Sequence, residues 1–317
     1  MSYSFSTGGS DQVKATELVV SIFDQVDTAF VDALYPDILW RDFIPAESVK
    51  SDVNPGAQNY VYRTRDIKGM GQFVRGDVRN IPRVGQVVGQ VVVPIAYAAT
   101  SATLTDYEAR QYSFGMQSAL ANDLGDVMKR AAEYHIERTF FFGNAPAGFA
   151  PFLDYSTVSK VPMDSWNNLT PSAMVDALNA MIMAVYLASK SVHCPDAIFL
   201  SPSKMAMLLT PMTIGGTGGA IYTNALEYLK QNNACTALTG RALTVKSLRY
   251  LTGAGVNGVD RCIVCEWNPR NFVLPFPMPY QLAQPVPIPL GVDMFAEYVF
   301  GSFHVKLPGS MAYGDGL

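Results

Sequence analysis

The stretch TDYEARQYSFGMQSALANDLGDVMKRAAEYHIERTFFFG, residues 105–143, decides the fold because it predicts one long helix. Thr105 and Glu108 have the spacing of a capping box, and Gly143 before Pro146 predicts the end. At about 1.5 Å per residue such a helix exceeds about 50 Å, so we expect it to organise the fold rather than carry chemistry. Apolar residues at alternating steps of four and three predict its buried stripe: Tyr112, Met116, Leu120, Leu124, Val127, Ala131 and Tyr134.

The composition is low in charge. Charged residues make up 16% of the 317 residues and hydrophobic residues 49%, whereas a typical soluble domain carries about 25% charged residues. This deficit indicates that other copies of the chain cover much of the surface. The net charge of -4 argues against wholesale neutralisation of nucleic acid but leaves a local basic patch open.

The chain shows neither a signal peptide nor an obvious membrane span. The N-terminus lacks a basic segment followed by an apolar one, and the apolar run at 87–99 is interrupted by Gly89, Gln90 and Pro94. We therefore predict a soluble protein made in a cytoplasm. The cysteines lack a disulfide-scaffold pattern, which is typical of a reducing compartment: Cys194, Cys235, Cys262 and Cys265.

Before the long helix, the sequence predicts an arm and a hairpin. Apolar residues recur every four over 15–34, which predicts an amphipathic helix, and Trp40 and Phe43 follow as predicted anchors. The period changes to two over 59–66 and 84–100, which predicts two long strands. Such a hairpin is too sparsely apolar to have its own core, so it should lie on another surface.

After the long helix, strands and helices alternate from about residue 166 to 279, which predicts a compact α/β unit. The tail is rich in proline yet β-prone. Residues 292–308 predict a strand pair that returns to the long helix, and Pro285, Pro287 and Pro289 hold the approach extended.

Motifs that resemble chemical sites have more ordinary explanations. Gly253, Gly255 and Gly258 fit G-x-G-x-x-G, but a predicted strand follows, so we expect a hairpin loop rather than a dinucleotide site. The glycine-rich residues 213–220 lack the G-K-[ST] of a phosphate-binding loop. Cys262 and Cys265 would point to opposite faces of a strand, which favours buried apolar residues over a metal site.

No catalytic arrangement is visible. The three histidines, His135, His193 and His304, are far apart in sequence and no G-x-S-x-G occurs. We interpret Asp123 with Asp126, and Glu133 with Glu137, as solvated carboxylates on the helix surface. The sequence therefore predicts no catalytic, cofactor-binding or metal residue, and the protein is not expected to be an enzyme.

The hairpin carries the candidate functional residues, which are predicted to contact a neighbouring subunit: Arg63, Arg65, Lys68, Arg75, Asp77 and Arg79. Their interleaving with Tyr60, Tyr62 and Phe73 also fits a nucleic-acid strip. We favour charge pairing between subunits, because Asp66 and Asp77 interrupt the strip and a hairpin without a core needs a surface to lie on.

The order of these elements resembles the HK97-like major capsid protein of tailed double-stranded DNA bacteriophages. The matching segments are FFFGN at 140–144 with PAGFAPFLDYSTV at 146–158, DRCIVCEWNPRNFVLPFPMPYQLAQPVP at 260–287 and AEYVFGSFHVKLPGSMAYGDGL at 296–317. Where the family usually reads Gly-Leu-Leu-Asn, residues 150–154 here read APFLD. The resemblance covers nearly the whole chain.

The resemblance implies an α+β HK97-like capsid fold. Residues 1–52 would be the N-terminal arm and 53–100 the extended hairpin, or E-loop, laid over an adjacent subunit. Residues 101–165 and 285–317 would form the peripheral domain with the spine helix, and 166–284 the α/β axial domain. Some relatives crosslink a hairpin lysine to an asparagine, and Lys68 is the only lysine of this hairpin.

The resemblance also implies a structural protein that self-assembles through pentamers and hexamers into an icosahedral shell around the double-stranded DNA genome. Its partners would be copies of itself, with portal, scaffold and decoration proteins as further candidates. It would bind no membrane and no specific DNA sequence, assemble in the host cytoplasm and reside in the virion capsid. The alternative is an encapsulin-type nanocompartment shell with the same fold and a different cargo; an α/β enzyme is a distant third.

Overall fold

The described residues of the predicted long helix are helical and form α1 at Asp106–Gln111 and α2 at Gln117–Phe142. The computed structural model describes residues 36–70, 83–111, 117–214 and 221–317. The capping box is confirmed: Thr105 Oγ1 accepts from the Glu108 N–H at 3.2 Å, and Glu108 Oε2 accepts from the Thr105 N–H at 3.0 Å. The predicted end is also confirmed, because Gly143 adopts a left-handed φ of 72°.

Leu124 packs against the core as predicted, but the predicted buried stripe of α2 is wrong from Val127 onward. Val127 and Tyr134 are 63% and 53% exposed, and Ala131 is also exposed. The buried apolar side chains instead recur every four residues, at Met128, Ala132, Ile136 and Phe140. Two apolar stripes lie side by side on this helix, and only packing against the rest of the chain selects one. Tyr112, Met116 and Leu120 lie outside the described side chains.

The other helices are α3 at Pro171–Ala188, α4 at Pro202–Leu208, α5 at Ala225–Gln231 and α6 at Ala234–Thr239. Thr170 caps α3 as its sequence predicts, since Thr170 Oγ1 accepts from the Ala173 N–H at 3.3 Å. By length and composition α3 could cross a membrane, a possibility that the sequence prediction missed. One face of α3 packs into the protein core through Leu178, Ile182 and Val185.

Fifteen strands follow one another through the described chain. They are β1 Val49–Lys50, β2 Asn59–Lys68, β3 Gly85–Thr105, β4 Ser159–Pro162, β5 Ala197–Leu200, β6 Pro211–Ile214, β7 Ile221–Asn224, β8 Thr244–Ser247, β9 Arg261–Cys265, β10 Phe272–Pro275, β11 Met278–Leu282, β12 Val286–Ile288, β13 Gly291–Gly301, β14 His304–Val305 and β15 Met311–Asp315. The fold is therefore α+β, as predicted.

The predicted hairpin is confirmed, and its second strand is longer than predicted. β3 pairs with β2 from Pro94 to Gly85 and with β13 from Ile95 to Thr105. The sheet order is β11-β13-β3-β2, and β12 also pairs with β13. One strand thus belongs to the exposed hairpin at its start and to the body at its end.

The α/β unit contains the second large sheet, ordered β4-β15-β9-β5-β8. Two core clusters lie on its opposite sides. Cys265 belongs to the cluster that includes α2, and Cys262 to the cluster that includes α3. The prediction that the two cysteines are buried on opposite faces is therefore confirmed.

The tail differs from its predicted pairing. β13 packs against the long helix as predicted, since Tyr298 OH lies 2.8 Å from His135 Nδ1 on α2. However, β13 and β14 do not pair with each other: β14 pairs with β10, and β13 pairs with β3. A β-prone sequence identifies strands without identifying their partners, because pairing depends on distant segments.

Two segments cross the domain boundaries that the resemblance implies. β15 pairs with β4 and β9, so residues 159–162 and 311–315 lie in the sheet of the α/β unit. Met311 and Tyr313 of β15 also belong to the core cluster that includes α2. Residues 40–50, which the resemblance assigns to the arm, belong to the compact unit formed by residues 38–317. Trp40 and Phe43 are buried as predicted, whereas the helix predicted at 15–34 lies outside the described residues. The four-domain division itself stays a prediction.

Candidate inter-subunit surface

The hairpin of β2 and β3 presents one face that is both apolar and basic. Residues directly opposite each other in an antiparallel pair share a face. One face therefore combines the pairs Val61–Val92, Arg63–Gln90, Arg65–Val88 and Ile67–Gln86, and we call it the basic face. Its apolar members are exposed: Val61 46%, Val92 52%, Val88 55% and Ile67 69%. Such exposure is typical of a surface that another molecule covers.

The opposite face of the hairpin turns toward the body at its base. It carries Tyr60, Tyr62, Thr64, Asp66 and Lys68. The Tyr62 ring lies 5.7 Å from the His304 ring, and Lys306 Nζ lies 5.6 Å from the Tyr62 ring.

Arg63 and Arg65 are therefore brought together, while Lys68 lies on the other face. Arg75, Asp77 and Arg79 lie outside the described residues. Because Tyr60 and Tyr62 do not share a face with the two arginines, these residues do not form a single aromatic and basic strip.

The base of the hairpin, where Tyr62 contacts His304 and Lys306, carries positive charge and is partly buried. Burial, and then the nearby Lys306 charge, lower the pKa of His304 below its ordinary value. Burial, and then Lys50, likewise lower the pKa of Lys306. Among the described residues, no ion pair joins Arg63, Arg65, Lys50 or Lys306 to a carboxylate. The charge of the hairpin is therefore not balanced by salt bridges within the described chain.

Glu137 on α2 is a structural residue that the sequence analysis misjudged. It is fully buried rather than solvated. Its carboxylate accepts from the Leu39 N–H at 2.6 Å, from Arg249 Nη2 at 2.6 Å and from Tyr250 OH at 2.7 Å. Burying a carboxylate is costly unless hydrogen-bond donors or a positive charge compensate it, and these three donors provide that compensation. Glu137 thus holds the segment before β1 against the long helix.

Glu133, one turn earlier on α2, is also not simply solvated. It accepts from Trp40 Nε1 at 3.1 Å and from Arg41 Nη2 at 2.9 Å. Both glutamates therefore bind residues 39–41. The sequence does not reveal that these two glutamates have hydrogen-bond partners, because the partners lie about a hundred residues away in the chain.

Arg261 ties the α/β sheet to the loop after α2. Its buried guanidinium donates to Asp315 Oδ1 at 2.5 Å and Oδ2 at 2.9 Å, and to the Leu153 carbonyl at 2.6 Å. It also donates to Asp154 Oδ1 at 2.9 Å. Burial alone would raise the pKa of Asp154, but hydrogen bonds from Lys160 and Arg261 outweigh it and lower that pKa. This network fixes the C-terminal strand β15 beside β9.

The motifs that resemble chemical sites occupy structural positions. Gly253 and Gly258 adopt left-handed φ values of 68° and 76° in a loop that leads into β9, so a strand follows the motif as predicted. The predicted hairpin is wrong, because β8 and β9 each pair with β5 and not with each other. Burial raises the pKa of the Cys262 thiol to about 12 and also raises that of Cys265, so both stay protonated at neutral pH. Residues 215–220 of the second glycine-rich stretch lie outside the described residues. No group of three metal-ligating side chains occurs within the part of the chain that the structure describes.

Comparison with protein families gives one decisive match. A family model described as major capsid protein matches residues 69–317. The chain belongs to the major capsid protein family. A search of curated proteins finds no sequence relative of this capsid protein.

Solved capsid structures share its fold. The capsid of Myoviridae phage XM1 matches with a TM-score of 0.77 at 12% identity, covering 94% of this chain and 98% of that one. The capsid of the native GTA particle matches with a TM-score of 0.61 at 11% identity, covering 93% and 96%. Gordonia phage Cozz matches with a TM-score of 0.58 at 12% identity, covering 100% and 98%. The predicted HK97-like capsid fold is thereby confirmed.

Membership of the capsid protein family indicates what the exposed hairpin could contact. A major capsid protein is a structural component of a virus-type shell, and it associates with copies of itself. Surfaces between copies are therefore the functional sites of this capsid protein. The basic face of the hairpin is the strongest candidate, because it is exposed, apolar and unbalanced in charge.

Proposed function

We propose that this capsid protein assembles through pentamers and hexamers into an icosahedral shell that encloses a phage double-stranded DNA genome. Assembly takes place in the host cytoplasm, and the product resides in the virion. The observation that carries the proposal is the exposed hairpin formed by β2 and residues 85–94 of β3, on a chain of the major capsid protein family. A long hairpin with exposed aliphatic side chains and no core of its own is only marginally stable in water, and a surface that covers it stabilises it.

The hairpin lies on an adjacent subunit in this proposal, and Arg63 and Arg65 contact that neighbour. Lys68, Arg75, Asp77 and Arg79 complete the proposed contact set. A contact between two different surfaces of successive copies generates a ring when the rotation closes. The same chain then serves five-fold and six-fold rings if the hairpin changes its angle while the body stays rigid.

DNA is confined by the closed wall rather than bound by sequence. The net charge of -4 supports this, since binding to many phosphates needs an excess of Lys and Arg. We assign no catalytic, membrane-binding or cofactor-dependent role to the chain. Portal, scaffold and decoration proteins remain proposed partners.

The test is to express the chain alone and to examine it by size-exclusion chromatography and negative-stain electron microscopy. We expect closed shells, or rings of five and six. A protein that stays monomeric alone, and also when coexpressed with the other structural proteins of its phage, would contradict the proposal. Analysis of the shell contents then separates phage capsid from nanocompartment: copurified DNA supports the capsid, whereas a single enriched enzyme supports an encapsulin-type shell.

A further inference from the structure

We infer that the outer face of the β3–β13 sheet receives the basic face of the hairpin from a second copy, with Asp293 and Glu297 opposite Arg63 and Arg65. This inference rests on the proposed function and names the surface that the hairpin contacts.

The outer face is defined by the register of β3 and β13. The pairs Thr103–Asp293, Ser101–Phe295, Ala99–Glu297 and Tyr97–Val299 share one side of the sheet, and we call it the acidic face. The alternate residues Met294, Ala296 and Tyr298 are at most 6% exposed and pack in the core. The acidic face therefore points outward from Asp293 to Glu297, whereas Val299 at its end is only 4% exposed. Its two aromatic rings are accessible: Phe295 is 41% and Tyr97 64% exposed.

The negative charge of this face is not neutralised within the described chain. Asp293 accepts from Thr103 Oγ1 at 2.6 Å and Glu297 from Tyr97 OH at 2.9 Å. Both donors are uncharged hydroxyls, so they orient the carboxylates without cancelling their charge. Residues 95–105 and 278–301 contain no Lys or Arg. Neither acid forms an ion pair with a described residue.

The two faces are opposite in charge, and both also expose apolar side chains. The basic face offers two guanidinium groups among aliphatic residues, and the acidic face offers two carboxylates among aromatic residues. A guanidinium binds a carboxylate in a bidentate manner and also stacks on aromatic rings. The exposed valines of the hairpin would bury apolar area against Tyr97 and Phe295.

The partner must be another copy, because one chain cannot bring its own two faces together. Arg63 pairs with Gln90 and Glu297 pairs with Ala99, so both faces are carried by the single extended strand β3. Nine residues of strand separate these positions by about 30 Å. A strand cannot fold back on itself over that distance while its pairing persists. The hairpin of one copy therefore reaches the acidic face of the next, and the contact runs head to tail.

Charge reversal on each face tests the contact. We expect Arg63→Glu with Arg65→Glu to lower the yield of shells at least about tenfold, and Asp293→Arg with Glu297→Arg to do the same. The four substitutions combined in one chain restore opposite charges across the contact, so they should recover most of the yield. Lys230→Glu and Asp176→Lys, at exposed positions on α5 and α3, serve as matched charge controls.

The pattern of yields decides between outcomes. Wild-type shells with no recovery in the combined variant, or with no loss in either reversal, would overturn the inference and leave the proposed function intact. Absence of wild-type assembly under every condition would instead count against the proposed function. Circular dichroism on each variant checks that the chain still folds.

A crosslinking measurement tests the contact independently of yield. In a chain carrying Arg65→Cys and Phe295→Cys, a short bis-maleimide should link successive copies into a ladder on denaturing gels. The native cysteines are buried and should not react while the protein is folded. A control with Arg65→Cys and Val256→Cys should give no ladder. Equal crosslinking in both chains would overturn the inference.

Discussion

At the scale of the residue, the structure depends on carboxylates that the sequence could not distinguish from surface ones. Glu137 is fully buried, and its carboxylate accepts from three donors, the Leu39 N–H, Arg249 and Tyr250. The Glu137→Gln substitution replaces one carboxylate oxygen with an NH2 group. Because each oxygen accepts from at least one N–H donor, the NH2 group would face a donor at either position, and Arg249 would lose its ion pair with residue 137. We expect the free energy of unfolding to fall by about 2–3 kcal/mol.

Urea unfolding followed by circular dichroism measures this loss. The matched control is Asp126→Asn on the exposed side of the same helix, which should change stability by less than about 0.5 kcal/mol. If Glu137→Gln were as mild as the control, Glu137 would not hold Leu39 and Arg249 in the way described.

His304 makes the stability of the hairpin base depend on pH. Its imidazole contacts Tyr155 OH at 2.6 Å and faces Tyr62, with Lys306 nearby and Lys50 beyond it. Burial, and then Lys306, lower the pKa of His304 in the folded state, so the unfolded chain binds more protons near its ordinary pKa of about 6.5. Stability is therefore fully present above about pH 6.5 and is lost as pH falls below it.

We expect the urea midpoint to drop between about pH 7.5 and pH 5.5, where His is the side chain that ordinarily titrates. His304→Gln keeps an acceptor for Tyr155 and should flatten part of this dependence. Burial also lowers the pKa of His135, so His135→Gln should flatten a further part. A pH dependence that is unchanged in the double variant would contradict this account.

At the scale of the element, the pairing of β3 with β13 joins the hairpin to the body. Gly291 lies where a Cβ would meet the Leu104 carbonyl oxygen at 2.6 Å and the Thr105 Cα at 3.2 Å, both on the backbone of the partner strand. Because backbone cannot move aside without breaking the ladder, Gly291→Ala should destabilise the protein by about 1–3 kcal/mol.

Thermal unfolding measures the effect, and Gly85→Ala is the matched control. A Cβ at Gly85 has no neighbour within 4 Å, and its φ is not in the left-handed region, so this change should be neutral or slightly stabilising. Equal melting temperatures for the two variants would show that β13 does not approach β3 as closely as the register indicates.

At the scale of the whole molecule, assembly should be more sensitive than folding to changes on the basic face. Val88 is 55% exposed and lies directly opposite Arg65. Val88→Asp adds a negative charge to the basic face, so it should lower the yield of shells strongly. The free energy of unfolding of the single chain should change by less than about 0.5 kcal/mol.

Val88→Thr is the matched control, because it keeps the β-branched shape and adds no charge. Analytical ultracentrifugation separates shells from free subunits in both variants. Shells that form equally well with Asp and Thr at this position would mean that no neighbour covers this side of the hairpin.

Local patterns in the sequence determined most of the elements. The capping box at Thr105, the cap at Thr170 and the two-residue period of the hairpin all act through atoms a few residues apart, so they can be recognised without a fold. The burial of Trp40, Phe43, Cys262 and Cys265 also followed from residue type and strand periodicity. The resemblance to HK97-like capsid proteins then supplied the architecture and the class of function.

Tertiary structure alone decided which surfaces are buried and which strands pair. It selected Met128 and Ile136 rather than Val127 and Tyr134 as the buried face of the long helix, and it buried Glu137 among donors. It also placed β15 in the α/β sheet. The physical reason is the same in each case: burial and strand partners depend on residues that are distant in the chain, and a local pattern contains no information about those contacts.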